Sequence, residues 1–352
     1  MVHWLPRVIQ KLRRSKKIGV SCVLALVALS IFGNAVTFYV FDGPLKPDLT
    51  FADAVWYSII SMTTIGYGDF SATSPGARAG TVFFIVLMGL SAFSTMLGML
   101  IDAMIHLNIR ELHGMSNTYC KNHVLIAHFP DEGRVRKIIQ ELRDDPEYAE
   151  VDIVMVNDTI EANPFELENV FFVKGSPLQI ETLERACLKD ASLAIVLCTN
   201  QADSSSDGIV ASVVTLIEHL RPEIKTVAEC LDRRHAVLFR SSKCDSVVYT
   251  NQLIDNLLVQ ETQDPGVASL VSELTDNGQG FTLYSATVDC NFDTSYSEVA
   301  QKMASQAYNL ISVERGAAQL IDYSKLKAQK GDRVVYVATR RHSWKELCSQ
   351  NP

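Results

Sequence analysis

The hydrophobic positions of this 352-residue chain follow two patterns that change near residue 122. Before that point, two long apolar runs without charged residues, 18–41 and 79–101, flank a shorter apolar and aromatic run, 51–62. At about 1.5 Å per residue, each long run can cross the roughly 30 Å hydrocarbon core of a bilayer as a helix, whereas the short run cannot. The pattern predicts two membrane spans with a short re-entrant helix between them.

After residue 122, short apolar runs alternate with segments of helical spacing. This alternation is typical of a parallel sheet with helices on both faces. We expect strands at 123–129, 151–157, 170–173, 192–199, 226–231 and 246–249. The intervening helices are expected at 132–143, 179–187, 207–220 and 233–240. Ligands of such sheets bind at the carboxyl ends of the strands.

The last part of the chain predicts a smaller, β-rich lobe. A helix at 252–263 leads to a loop at 276–280, whose Asn, Gly and Asp residues are typical of turns. One further helix is expected at 296–307. The remaining strands are expected at 281–288, 310–313, 318–321 and 332–338.

A six-residue motif separates the short helix from the second long run. It consists of Thr64, Ile65, Gly66, Tyr67, Gly68 and Asp69. Backbone carbonyls of 64–67, repeated from several subunits, can form the stacked oxygen rings that replace the water shell of a potassium ion. The two glycines adopt the required backbone conformations at little cost. A Tyr-Gly turn in a soluble loop is the alternative, but the position between two spans favours a potassium filter.

Other residues of the predicted pore have supporting roles. Thr50 and Asp53 form a capping box that would start the short helix. Trp56 and Tyr57 are expected behind the filter, beside the ring of Tyr67; the alternative is that they are ordinary interface or core residues. The gate is expected low on the second span, with glycines as hinges and apolar side chains that narrow the pore. These residues are Gly89, Met96, Leu97 and Gly98. Gly89 has the alternative role of close helix packing.

Charge gives the expected orientation. The net charge is −8, yet the first seventeen residues carry six Lys or Arg and no acidic residue. A basic flank favours a cytoplasmic N-terminus, and two spans return the chain to the cytoplasm. We therefore expect a multi-pass protein of the inner (plasma) membrane, in contact with lipid, with both termini cytoplasmic. The acidic remainder argues against a nucleic-acid partner, and eight scattered cysteines show no zinc-ligand spacing.

These motifs resemble two-transmembrane-helix potassium channels that carry a cytosolic RCK domain, a regulator of potassium conductance related to KTN/TrkA modules. Besides the filter, the matching segments read H-V-L-I-A at 123–127, V-K-G-S-P at 173–177, L-E-R-A-C-L-K-D-A at 183–191, T-V-A-E-C-L at 226–231 and K-G-D-R-V-V-Y-V-A at 330–338. The resemblance implies a membrane α-helical pore joined to an α/β Rossmann-like RCK domain with a small α+β C-terminal lobe. It also implies a ligand-gated channel rather than an enzyme.

The resemblance gives domain boundaries and an assembly. We expect a basic N-terminus at 1–17, a pore at 18–108, a linker at 109–122, the Rossmann-like lobe at 123–250, crossover helices at 251–278 and the C-terminal lobe at 279–352. Four copies would surround the pore, and RCK domains would pair through the crossover helix. A ring of eight RCK lobes would need soluble copies that start at Met115, unless Met115 is only a linker residue.

The gating ligand is expected to be an adenine nucleotide such as NAD or ADP. The first strand turn reads A-H-F-P-D-E-G, so that only one glycine of the dinucleotide fingerprint remains. Asp158 follows the second strand, where a carboxylate can bind ribose hydroxyls. Gly133, Arg134 and Arg136 lie at the start of the first helix, where they can hold phosphate. His128 is the last of the expected nucleotide-binding residues. The alternative is a degenerate fold that binds no nucleotide.

Calcium is the rival ligand. Relatives of this type bind it at an A-E-x-E pattern, but Leu231 stands here at the second acidic position, which leaves Glu229 with Asp203. Calcium takes about six or more oxygen ligands, so the pair alone is insufficient. A membrane-anchored NAD-dependent oxidoreductase is the alternative of another class. The broken fingerprint argues against it, and a transporter subunit would normally lack its own filter.

Overall fold

The computed structural model describes residues 16–278, 280–289, 295–316 and 318–348. The chain divides into two compact units, Met1–Ile109 and Arg110–Pro352. Most of the predicted basic N-terminus, 1–15, lies outside the described residues, as does residue 279 of the predicted loop.

The first unit contains the predicted helices. They are α1 (Lys16–Asp42), α2 (Phe51–Met62), α3 (Pro75–Gly80), a π-helical segment (Thr81–Gly89) and α4 (Leu90–Leu112), with a 3-10 turn at Gly43–Leu45. Two helical stretches, Gly19–Leu45 and Pro75–Leu112, are long and apolar enough to cross a membrane. The second continues well beyond 101, because the residues after the charge-free run, such as Ala103, Met104, Arg110 and Glu111, are good helix formers.

Helix α2 begins where the sequence predicts. Thr50 N donates to Asp53 Oδ2 at 2.9 Å, and Asp53 N donates to Thr50 Oγ1 at 3.2 Å. This reciprocal capping box satisfies two backbone donors that the helix leaves unpaired. Behind α2, the Asn34 amide of α1 donates to Ser58 Oγ at 2.8 Å in the buried interior of the unit.

The second unit opens with a six-stranded parallel sheet in the order β3-β2-β1-β4-β5-β6. Its strands are β1 (Val124–Ala127), β2 (Ile153–Asn157), β3 (Val170–Lys174), β4 (Leu193–Val196), β5 (Lys225–Cys230) and β6 (Ser246–Tyr249). The order reverses between β1 and β4, which places the ligand crevice of a doubly wound sheet there. All six predicted strands are confirmed, and three of them, β1, β2 and β4, are shorter than the apolar runs that predict them.

Helices cover both faces of this sheet. They are α5 (Glu132–Asp144), α6 (Ile180–Arg185), α7 (Ser206–Leu220) and α8 (Ala236–Ser241), with 3-10 turns at Leu188–Asp190 and Arg233–His235. Val124 and Ile126 pack with α5, whereas Leu125 and Ala127 pack with α7 on the other face. The predicted helix 233–240 consists of the 3-10 turn Arg233–His235 followed by the short helix α8. The predicted helix 179–187 ends at Arg185, because Cys187 has a φ of 52°, which a right-handed helix does not contain.

The remaining elements form two helices and a lobe. Helix α9 (Thr250–Gln263) matches the expected crossover helix and is followed by α10 (Val267–Leu274). The lobe contains an antiparallel sheet, β7-β10-β8-β9, around a core that includes Tyr296 and Tyr336. Its elements are β7 (Thr282–Thr287), α11 (Tyr296–Ala304), β8 (Asn309–Arg315), β9 (Ala318–Leu320), β10 (Arg333–Ala338) and α12 (Trp344–Cys348). The short α12 was not predicted, as it is too brief to show helical periodicity.

Candidate functional site

The filter loop alternates in backbone conformation. Thr64, Gly66 and Gly68 have φ angles of 63°, 58° and 78°, at every second position. Such alternation turns successive carbonyls to the same side of the chain, as stacked oxygen rings require. Thr64 is β-branched and therefore strained at positive φ. Its neighbours are held by the end of α2, because Ile65 N and Gly66 N both donate to Ile60 O, at 3.1 and 3.4 Å.

Side chains support the loop from behind. Trp56 Nε1 donates to Asp69 Oδ2 at 2.8 Å, and its ring stacks on Tyr67 with centroids 6.1 Å apart. The structure therefore places Trp56 beside the Tyr67 ring. Tyr57 is a correction: its ring stacks on Phe38 of α1 at 4.4 Å instead, because neighbouring residues of a helix point about 100° apart.

A buried carboxylate that sequence analysis missed ties the loop after the filter to α1. Asp42 is fully buried and accepts hydrogen bonds from the backbone and hydroxyl groups of Thr73 and Ser74, between 2.5 and 2.9 Å. Lys46 lies 3.2 Å from the same carboxylate and donates to Ser71 O. The only sequence signal was an acidic residue at the end of an apolar run.

The predicted gate residues differ in how closely other atoms pack around them and in how exposed they are. A Cβ at Gly89 would lie 2.5 Å from Ser30 Oγ and 2.9 Å from Phe84 O, whereas a Cβ at Gly98 would meet none of the described atoms beyond its own helical turns within 4 Å. The contact favours a packing role for Gly89. Leu97 is 43% exposed in the single chain, and Met96 is half-buried. A gate formed by these residues stays a prediction.

In the second unit, His128 lies at the crevice between β1 and β4. Its φ is 71°, its side chain is buried, and Nδ1 lies 2.8 Å from Leu197 O. Burial lowers the pKa of His128 below its ordinary value, since desolvation disfavours the charged ring. The imidazole thus connects the end of β1 to the end of β4. In a dinucleotide-binding fold, the tight glycine-rich turn of the fingerprint would follow β1 at this place.

The predicted phosphate-binding residues already have partners within the protein. Asp131 caps α5 by accepting from Arg134 N at 2.9 Å. The Arg134 guanidinium donates to Glu229 Oε1 at 2.7 Å, and Arg136 pairs with Glu132 at the same distance. Gly133 lies in the first turn of α5 with ordinary φ. Asp158 is exposed directly after β2, on the same edge.

The tentative calcium residues do not form a cluster. Glu229 is 5% exposed and pairs with Arg134, whereas Asp203 Oδ2 accepts from Ser205 Oγ at 2.7 Å on the surface. Among the described residues, no group of three or more His, Cys, Asp or Glu is arranged to hold a metal ion. A guanidinium occupies the place beside Glu229 that a divalent cation would need.

Sequence profiles of known families match both units. The ion channel profile matches residues 22–106, and the profile of the calcium-activated potassium channel slowpoke-like RCK domain matches residues 119–228. The chain is a potassium channel with an RCK domain. Together the profiles account for most of the pore helices, the filter, the first four strands of the parallel sheet and part of β5.

Individual proteins resemble the channel over most of its length. The calcium-gated potassium channel TvoK of Thermoplasma volcanium is 22% identical, with 97% of each chain covered. The putative potassium channel protein YugO of Bacillus subtilis is 21% identical over 68% of this chain and 71% of its own. Among solved structures, the GsuK channel bound to NAD has a TM-score of 0.47 and 16% identity, covering 90% of this chain and 57% of its own.

Proposed function

We propose that this membrane protein is a ligand-gated potassium channel in which four copies surround one pore. The alternating φ angles at 64, 66 and 68 carry the proposal, because they are the backbone geometry that carbonyl rings require. Ile65 and Tyr67 are 58% and 69% exposed in the single chain. Neighbouring subunits would cover these side chains, since two spans and one loop cannot enclose a pore alone.

The RCK units are proposed to pair through the crossover helix. Four large apolar side chains of α9 are between 56% and 64% exposed in the single chain. They are Leu253, Ile254, Leu258 and Val259. An exposed apolar patch of this kind marks an interaction surface. Soluble copies that start at Met115 would complete a ring of eight; two protein bands from one gene would support them.

The proposed ligand is an adenine nucleotide such as NAD or ADP, bound at the carboxyl edge of the parallel sheet. Asp158 is exposed after β2, where a carboxylate can bind ribose hydroxyls. Arg134 and Arg136, at the start of α5, supply guanidinium groups for phosphate. The phosphate would have to compete with the acidic partners that both arginines have in the structure.

Calcium gating is the second candidate, because the similar protein TvoK is a calcium-gated potassium channel. The pairing of Glu229 with Arg134 and the surface position of Asp203 do not favour it at these two residues. A calcium site formed between subunits would remain compatible with both observations.

Two experiments test the proposal. Purified protein in liposomes should conduct potassium in preference to sodium, and equal fluxes of the two ions would overturn the filter assignment. Planar-bilayer recordings should then compare NAD, ADP, ATP and calcium, each added alone to the side that carries the RCK units. If the channel responds to calcium and not to the nucleotides, calcium replaces the adenine nucleotide as the proposed gating ligand.

A further inference from the structure

Glu229 of β5 connects three separate elements at the edge of the sheet. Its carboxylate accepts hydrogen bonds from Arg134 Nη2 at 2.7 Å, from Cys198 N at 2.9 Å and from Thr250 Oγ1 at 3.1 Å. Arg134 lies in the first turn of α5, Cys198 follows β4, and Thr250 is the first residue of α9. One buried carboxylate therefore joins the candidate phosphate site to the start of the crossover helix.

The bonds to Glu229 depend on one another. A carboxylate that is 5% exposed is costly unless its charge is paired and its oxygens are hydrogen-bonded. Burial raises the pKa of Glu229, but the bonds from Arg134 and Cys198 outweigh burial and hold this pKa below its ordinary value. Loss of the guanidinium would leave a buried charge with two neutral donors, so the carboxylate would have to move or gain solvent.

Arg134 has the chemistry to leave Glu229 for a ligand. Its side chain is 23% exposed, at the start of the helix that faces the crevice edge. Guanidinium binds phosphate and carboxylate with similar bidentate geometry, so a ligand phosphate is a direct competitor for Glu229. In the structure, Asp131 and Glu132 already complement the start of α5, so the group that a ligand phosphate would bind is the Arg134 guanidinium, in exchange for Glu229, and not the helix terminus.

We propose that Glu229 is a positioning residue that holds Arg134 until a ligand phosphate takes the guanidinium. The exchange frees Glu229 to shift relative to Thr250, which passes the binding event to the first turn of α9. This inference rests on the proposed nucleotide site and adds the route from that site to the helix through which RCK units pair. Binding and gating are then coupled reciprocally through one ion pair.

The first test measures ADP binding to the full-length protein in detergent by isothermal titration calorimetry. Glu229→Gln keeps the shape but removes the charge, so it should raise the affinity for ADP at least about fivefold by releasing Arg134. Glu218→Gln is the matched control, because the Glu218 carboxylate accepts from Thr226 Oγ1 at the other end of β5. The control should bind ADP like the wild type.

The second test separates binding from gating. Thr250→Val removes the hydroxyl that contacts Glu229 but leaves the ion pair intact. It should bind ADP within about twofold of the wild type, while the change in open probability caused by ADP falls at least about fivefold in bilayer recordings. An unchanged ADP response would overturn the route through Thr250, independently of how well Glu229→Gln folds.

The outcomes distinguish this inference from the proposed function. Equal ADP affinity in the wild type and in Glu229→Gln would overturn the exchange while leaving the nucleotide site in place. ADP binding by Glu229→Gln alone would support the exchange. No ADP binding by either protein would overturn both the ligand class and the exchange, because a released Arg134 would then still not recruit phosphate.

Discussion

The filter loop and the crevice edge of the RCK sheet present different groups to the ligands proposed for them. The filter offers backbone carbonyls, and its nearest side-chain support, Trp56 to Asp69, spans thirteen positions of sequence. The crevice edge offers side chains, and two of them, Arg134 and His128, have partners that are distant in sequence. Arg134 pairs with Glu229 across 95 positions, and His128 contacts Leu197 across 69. A backbone site is therefore specified locally, whereas a side-chain site depends on which elements the fold brings together.

The largest effect is expected from a substitution in the filter loop, where the proposed site consists of backbone groups. Gly66→Ala places a Cβ at a φ of 58°, which costs about 1–2 kcal/mol in each subunit. Potassium flux into liposomes should fall at least about tenfold, because about 1.4 kcal/mol corresponds to a factor of ten. Gly43→Ala is the control, since Gly43 has no positive φ and, apart from its chain neighbours, no described atom within 4 Å of an added Cβ. Normal flux through Gly66→Ala would contradict the filter geometry.

Two glycines of the second span offer a matched pair for packing within the pore unit. Gly89→Ala forces a contact with Ser30 and Phe84, so we expect a loss of about 1–3 kcal/mol in stability. Gly98→Ala meets no described atom beyond its own helical turns within 4 Å and should change thermal stability little. Melting of the protein in detergent measures both. Equal melting temperatures would refute the close approach at Gly89.

Trp56→Phe tests how much the filter needs its side-chain support. The substitution keeps the stacking on Tyr67 but removes the bond to Asp69, which is worth about 0.5–1.5 kcal/mol at this exposed position. The ratio of potassium to sodium permeability should fall by a few-fold in bilayer recordings. Tyr57→Phe is the control, because Tyr57 faces Phe38. A larger loss from Tyr57→Phe would reverse the roles of the two aromatic residues.

The smallest effect is expected from His128, a side chain at the crevice edge of the RCK sheet. The pKa of His128 lies below its ordinary value of 6.5, so the unfolded chain takes up a proton more readily than the folded one. The stability that the neutral, buried ring contributes is therefore present above about pH 6.5 and is lost as the pH falls below it. Melting temperatures between about pH 7.5 and about pH 5.5 should drop less in His128→Asn than in the wild type.

Asparagine is a suitable replacement because it tolerates positive φ and can donate to Leu197 O. Some acid sensitivity should remain, since burial also lowers the pKa of His123. An identical drop in both proteins would show that His128 does not titrate in the way its burial requires.

Particular elements show how far the sequence alone reaches. The capping box at Thr50 and Asp53 and all six parallel strands are confirmed, because each depends on contacts within a few residues or on a continuous apolar run. The position of Tyr57 was wrong, and the clamp around Asp42 was missed. Both depend on which face of a helix meets a distant segment, and short runs of sequence carry little information about that.

The sequence by itself determined the ion and the architecture. Six filter residues between two apolar runs, and alternating strands and helices, are local patterns whose physics is the burial of apolar surface and the freedom of glycine. Only the tertiary structure decided that Arg134 is already paired. A guanidinium at the start of a helix is equally compatible with phosphate, water or carboxylate. The fold places the buried Glu229 within 2.7 Å of it, where desolvation makes the pairing necessary.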